Sequence, residues 1–361
     1  MARKPSTKQR LAALKRRAKG RRRALILLQD NPDPDAIASA AALKLLLKEL
    51  AGCDTVIAYG GVVGRAENRS MLRYLGTSMR AAADAPLDRF DLVAMVDTQP
   101  GFGNNPVDDG ARVDIVIDHH ERAGGAPGDQ FCDIRPGYGA TATILAEYLR
   151  AADITPSAPL ATALAYGIQS DTQDFGRETS EADIQVFTWL YPLANKRLLS
   201  RIENEQEPRE YFTAVSRALR DARTYGNAAL CWLGRMINPD MTGEIADLLL
   251  RLDEAEWVLC QGLYRGTLYL SLRTDLRSAD ADGVMKAIVG ELGRGGGHEM
   301  LAGGQISVDR DSFKVANTLR KDVERHFLDH FRLDPKCRRR LVSRAGEREK
   351  SRTPRDPARK K

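Results

Sequence analysis

The chain has 361 residues, 43% of them hydrophobic and 29% charged. That is enough for two ordinary domains at roughly 150 residues each, and it excludes a collagen-like or low-complexity chain. No apolar run approaches the ~18 to 20 residues needed to cross a bilayer. Five cysteines lie scattered at Cys53, Cys132, Cys231, Cys260 and Cys337, none spaced as C-x-x-C. They fit a reducing cytoplasm and argue against a disulfide framework or a structural zinc site. The net charge of +6 conceals a division: residues 1–23 carry +11 and residues 336–361 carry +9, leaving −14 for the body. Such basic ends predict solvated, disordered tails, with sequence-independent attraction to a polyanion as their functional reading. An Arg-rich organelle presequence is the alternative for the first of them.

After a basic arm over 1–22, Ala24–Leu28 reads as a buried strand entering the turn-rich loop Gln29-Asp30-Asn31-Pro32-Asp33-Pro34-Asp35. An Ala/Leu-rich helix follows from Ala36 to Leu50, closed by Gly52. Strands are predicted at Thr55–Tyr59, Leu92–Val96 and Val113–Ile117, with helices near Glu67–Leu75, Ala140–Arg150, Leu160–Ser170 and Glu181–Leu193. Alternating strands and helices imply a mainly parallel sheet with helices on both faces over residues 23–195. The charged stretch 196–208 reads as a connector. A second, smaller α/β domain is expected over 209–333, and a disordered basic tail over 334–361. Its predicted strands are Ala228–Leu233, Trp257–Leu263, Thr267–Leu272 and Gly304–Val308. Its predicted helices are Pro208–Arg223, Thr242–Leu252, Gly283–Leu292 and Asp311–His330.

Ligands of parallel sheets bind beyond the carboxyl ends of the strands, and this chain places acids there repeatedly. Asp33 and Asp35 follow the first strand, while Asp97 and Asp118 end later ones. Each has a plain structural reading: Asp35 as a helix cap, Asp97 as a turn residue, Asp171 as a cap or loop acid at a helix end. The pair His119-His120 is less easily dismissed, because the whole chain holds five histidines. Oxygen ligands with one or two imidazoles suit Mn²⁺ or Mg²⁺ better than thiolate-selected zinc. Two such ions polarise a phosphoryl group and activate water for in-line attack.

These motifs resemble the DHH phosphoesterase superfamily over about 300 residues, from Ala24 to His330. Asn31 to Ser39 looks like its first motif, Val96-Asp97-Thr98 its second, Asp118-His119-His120 its third and Gly167 to Phe175 its fourth. Ser271-Leu272-Arg273 and Gly295 to Gly303 resemble the DHH-associated substrate domain. The resemblance implies an active-site cleft between two domains. It places Asp33 on one metal, Asp35, His119 and Asp171 on the other, and Asp97 between them. His120 would face the phosphate, with Asp118 behind the histidines. Arg273 and the loop Gly295, Gly296, Gly297 and His298 would contact substrate. The family usually carries a histidine four residues before Asp33, and here that position is Gln29.

Spacing and size look most like the nanoRNase and 3′-phosphoadenosine 5′-phosphate phosphatase group. The resemblance thus implies two divalent ions, preferentially Mn²⁺, a short RNA or small nucleotide substrate, and room for a homodimer. Rival enzyme readings are a cyclic-dinucleotide phosphodiesterase, a single-strand exonuclease and an exopolyphosphatase or pyrophosphatase. A nucleotide- or RNA-binding relative with a degraded first metal site at Gln29 is the reading from another class.

Overall fold

Strand β1 (Arg23–Leu27) is buried along four of its five residues, which is why it reads as an uninterrupted apolar run. It is the centre of a six-stranded sheet ordered β3-β2-β1-β4-β5-β6, in which every recorded pairing is parallel. The other strands are β2 (Asp54–Tyr59), β3 (Met79–Ala81), β4 (Leu92–Val96), β5 (Ile115–Asp118) and β6 (Phe131–Ile134). The computed structural model describes residues 5–342 except 109, 123–129, 177–178, 277 and 298–299. It divides into two units, 1–206 and 207–361.

The strand order reverses at β1, with β2 on one side and β4 on the other. Their carboxyl ends therefore open the crevice where α/β sheets bind ligands. One sheet face, through Ile26, Ala94 and Ile117, shares a core with α2 (Pro34–Ala51), α4 (Thr141–Ala151) and α5 (Ala158–Asp171). The other, through Leu25, Leu27, Val93 and Met95, packs on Ala85, Phe90 and Val113. Helix α2 buries twelve of its eighteen residues, and its alanines allow close approach by α4 and α5. Gly167 in α5 lets the two helices approach closely, since a Cβ would stand a tight 3.1 Å from Asp35 Cα. The remaining helices of this unit are α1 (Thr7–Ala18), α3 (Ala66–Leu75), α6 (Glu181–Leu190) and α7 (Lys196–Glu203).

Two expectations are corrected in this unit. The basic arm is not disordered over its described part, because α1 forms with a Ser6–Gln9 capping box and buries Leu11, Leu14 and Ala18. Its arginines meet buried acids: Arg10 pairs with Asp133, and Arg17 lies 3.0 Å from Asp114. The charged connector is also helical in α7, where Leu199 and Ile202 turn inward.

The second unit is a seven-stranded mixed sheet ordered β11-β12-β10-β9-β8-β7-β13. Its elements are α8 (Arg209–Asp221), β7 (Arg223–Tyr225), β8 (Ala228–Arg235), α9 (Met241–Leu249), β9 (Trp257–Tyr264) and β10 (Thr267–Thr274). They continue with α10 (Ala281–Val289), β11 (Arg294–Gly297), β12 (Leu301–Ser307), α11 (Phe313–His330) and β13 (Arg339–Arg340). Of the basic tail, Arg339 and Arg340 pair with Thr224 and Arg223 as an edge strand rather than hanging free. Residues 343–361 lie outside the described residues. No helix among the described residues is long and apolar enough to cross a membrane.

Candidate metal centre

The site grows from the ends of β1, β4 and β5 and from the ends of three helices. Asp33, not Asp35, is the N-cap of α2, with Pro34 at the first helical position. Its Oδ1 accepts from the Ala36 N–H at 2.9 Å, and its Oδ2 accepts from Gln29 Nε2 at 2.9 Å. Asp35, fully buried one residue inside the helix, accepts from the backbone N–H groups of Thr141 and Ala142 at 2.6 and 2.7 Å. The acid read as a cap for its own helix thus caps α4 instead.

Asp97 ends β4 in the left-handed region at φ 58, a conformation Asp adopts at some cost and one that clusters at functional sites. Its Oδ1 accepts from the Thr141 hydroxyl at 2.9 Å. Asp118 spends both oxygens on support. Oδ1 accepts from His120 Nδ1 at 2.7 Å and from the His120 N–H at 3.2 Å, and Oδ2 accepts from Gln99 Nε2 at 2.8 Å. His119 is held differently, with Nδ1 3.1 Å from the carbonyl of Tyr138. That carbonyl requires a proton on Nδ1, so Nε2 is the ring atom a bound cation would take in place of a proton. Nε2 is buried, with Asp171 Oδ2 3.0 Å away and Asp97 Oδ1 3.6 Å away.

Ligand atoms of Asp35, His119 and Asp171 lie within 4.8 Å of one another, as do those of Asp97, Asp118, His119 and His120. The electrostatics fit a cation. Burial and the charge of Asp171 push Asp35 up to about 7, and burial and Asp171 also raise Asp33. Burial together with Asp35, Asp33, Asp171 and Asp118 holds Asp97 well above the usual carboxylate range. Burial works against a charged His119, yet Asp171, Asp35 and Asp118 lift it to about 10. Asp118 alone among these acids is lowered: burial opposes its charge, but the His120 contact outweighs it, helped by His119 and Gln99. Carboxylates gathered where they repel one another, around a buried imidazole nitrogen, fit a divalent ion with mixed oxygen and nitrogen ligands.

Residues 23–168 match the N-terminal domain of the DHH family. The metal-centre residues from Asp33 to His120 fall inside that matched stretch. The chain is 38% identical over 305 residues to an uncharacterized protein of Methanocaldococcus jannaschii, MJ1633. That match takes in 83% of this chain but 61% of the relative, so the chain spans about three fifths of the curated relative's length. In fold it is similar to an exopolyphosphatase-related protein from Bacteroides fragilis, with a TM-score of 0.65 and 16% identity. That likeness covers 88% of this chain and 96% of the other.

Among the DHH residues expected in the second unit, Arg273 lies on β10, its Nε donating to Asp247 Oδ1 at 2.7 Å and Nη1 to the Leu272 carbonyl. Gly295, Gly296 and Gly297 form the edge strand β11 rather than a loop. Gly297 tolerates no side chain, since its Cβ would stand 2.2 Å from the Leu301 carbonyl oxygen, and its N–H donates to Asp282 Oδ1 at 2.9 Å. His298 lies outside the described residues. Sequence reasoning missed Thr141, Gln99 and Tyr138. Thr141 opens a helix, a position where such residues bond to backbone or neighbours, but nothing local reveals that its partners are Asp35 and Asp97.

Proposed function

We propose that this chain is a metal-dependent DHH phosphoesterase that hydrolyses short oligonucleotides or small nucleotide phosphates, with Mn²⁺ as its preferred ion. The observation that carries the reading is the gathering of Asp35, Asp97 and Asp171 around the buried His119 Nε2, with Asp171 Oδ2 at 3.0 Å. In this reading Asp35, His119 and Asp171 would hold one ion, Asp33 would help hold a second, and Asp97 would serve both. Bound divalent ions supply activation of water and neutralisation of phosphoryl charge.

The protein's own residues do the rest. Thr141 fixes Asp97 through its hydroxyl and Asp35 through its N–H, so two ligands are aimed by one residue before substrate arrives. Asp118 locks the His120 ring by its Nδ1 proton, which directs Nε2 to the reacting phosphate as proton donor or acceptor. Arg273 and the β11 glycines are assigned to substrate phosphate through guanidinium and backbone N–H donors. The basic ends add sequence-independent attraction for nucleic acid.

A second reading has its own support: Asp33 already accepts from Gln29 and Ala36, which weakens its hold on a cation and favours a binding protein with one impaired metal site. A hydrolysis panel with Mn²⁺ and Mg²⁺ separates them, run over dinucleotides, 3′-phosphoadenosine 5′-phosphate, cyclic dinucleotides, single-stranded DNA and polyphosphate. The expected result is turnover of a dinucleotide or 3′-phosphoadenosine 5′-phosphate, abolished in Asp97→Asn. Nucleotide binding by calorimetry without turnover of any substrate would overturn the enzyme reading.

A further inference from the structure

Helix α8 presents a face that the second unit's core does not use. Ala218 and Ala222 beside it are buried with Cys231 and Val258. Arg209, Phe212, Thr213, Ser216, Arg217 and Arg220 instead line an open groove of about 680 Å³, with Asp221 at its end. They recur at helical spacing along one stripe, which at 1.5 Å per residue runs for ~16 Å. Phe212 is 62% exposed, a large ring left in water.

The groove continues past Arg217 and Asp221 into a recess of about 340 Å³, lined also by Trp232, Gly234, Arg235 and Phe313. Phe313 is 44% exposed and tilts against Trp232 at 5.9 Å, while the Arg320 guanidinium sits over the same Trp ring at 5.2 Å. Gly234, at φ 73, lies where the β8–β9 register shifts between Trp232 and Arg235, and a Cβ there would stand 3.8 Å from Arg217 Nη1. Arg217 of α8 and Gly234 at this strand end line the same recess.

The charges of this surface are unbalanced. Arg235 is paired with Asp311, Arg320 with Glu324, and Asp221 has Arg223 at 3.8 Å. Among the described residues no ion pair is recorded for Arg209, Arg217 or Arg220, and Arg220 donates only to the Ser216 hydroxyl. Unpaired guanidiniums in a row, interleaved with exposed rings, are what a strand of phosphates and stackable bases requires. An acidic peptide would satisfy the arginines but leave Phe212 and Phe313 without flat partners.

We propose that the α8 stripe and its Trp232–Phe313 recess form an accessory binding site for single-stranded nucleic acid, with backbone phosphates on Arg209, Arg217 and Arg220 and a base on Phe212. The identity of the ligand rests on the nucleotide reading of the active site, but the site belongs to the second unit and uses none of the metal-centre residues.

The test uses the full chain carrying Asp97→Asn, which blocks the proposed cleavage, and fluorescence anisotropy with labelled 12-mer single-stranded RNA and DNA at about 0.1 M salt. The triple change Arg209→Ala, Arg217→Ala, Arg220→Ala is expected to weaken binding on the order of a hundredfold and to lower the salt slope by about 2. Phe212→Ala is expected to weaken strand binding about tenfold while leaving heparin binding unchanged. RNA and DNA competing alike would assign recognition to phosphate and base stacking; preference for RNA would add the 2′-hydroxyl. Triple-variant affinity within twofold of the parent would overturn the proposal. So would a dimer, seen by sedimentation, that Phe212→Ala dissociates, because a second copy would then cover the face.

Dinucleotide hydrolysis, measured with Asp97 intact, keeps the two readings apart. Hydrolysis without arginine-dependent strand binding defeats only this site, and binding without hydrolysis defeats only the enzyme.

Discussion

Helix α1 should be a structural part of the first unit, and Leu14 is the residue that tests it. Its side chain is fully buried within the core that α2 and α4 share. Leu→Ala changes at such positions cost about 2 to 5 kcal/mol, through lost transfer energy and the cavity left behind. Taking ~3 kcal/mol, and ~2 to 4 °C per kcal/mol for a unit of this size, the first unit's Tm should fall by about 6 to 12 °C. Arg10→Ala should cost less, about 1 kcal/mol, because Asp133 keeps Arg135 and the Tyr148 hydroxyl. The exposed Lys15→Ala serves as the control, expected within about 1 °C of the parent. Thermal unfolding followed by circular dichroism gives all three values. A Leu14→Ala transition that coincides with the control would refute a docked helix and restore the reading of a free basic arm.

At the metal centre, Gln29→His should tighten Mn²⁺ binding at the first site about tenfold by calorimetry, by exchanging an amide that is bonded to Asp33 for an imidazole. An unchanged titration would place residue 29 outside the metal's reach. pH provides another check. Asp35 is raised in the folded state to about 7 from 3.8, and Asp33 and Asp97 move the same way. A raised carboxyl contributes stability that is present below its unfolded pKa and lost as pH rises through the folded one. The chelated protein should therefore lose stability between about pH 4 and 7, and added Mn²⁺ should raise Tm more at pH 8 than at pH 5. An equal gain at both values would show that these acids do not meet the ion.

The elements easiest to read were those whose burial is continuous. The apolar runs at β1 and β4 specify strands covered on both faces, and Gly52 stops α2 in the left-handed conformation a glycine permits. Misreadings occurred where charge was averaged over a segment. In α1 the net charge masks Leu11, Leu14 and Ala18 at helical spacing, and the acids that receive Arg10 and Arg17 lie about a hundred residues away. Strand β6 was missed because buried Asp133 interrupts its apolar pattern, and β11 because glycines read as a loop unless one knows that β12 and Met285 leave no room for a Cβ.

The same distinction governs the site. Residue types and strand ends disclosed which groups gather, whereas what orients them comes from elsewhere in the chain. Thr141 supports Asp35 from 106 residues away, Gln99 supports Asp118 from 19, and Tyr138 supports His119 from 19. None of these supports can exist in an unfolded chain, while the acids they aim repel one another once assembled. Folding of the first unit therefore builds an electrostatic cost into its own centre, and the contacts of α2, α4 and the sheet must offset it. A divalent ion relieves that repulsion only in the folded state, so its binding energy is also stabilisation energy. On the proposed reading, that linkage makes the ion's hold at Asp33, to which Gln29 donates, a property of the fold as well as of the chemistry.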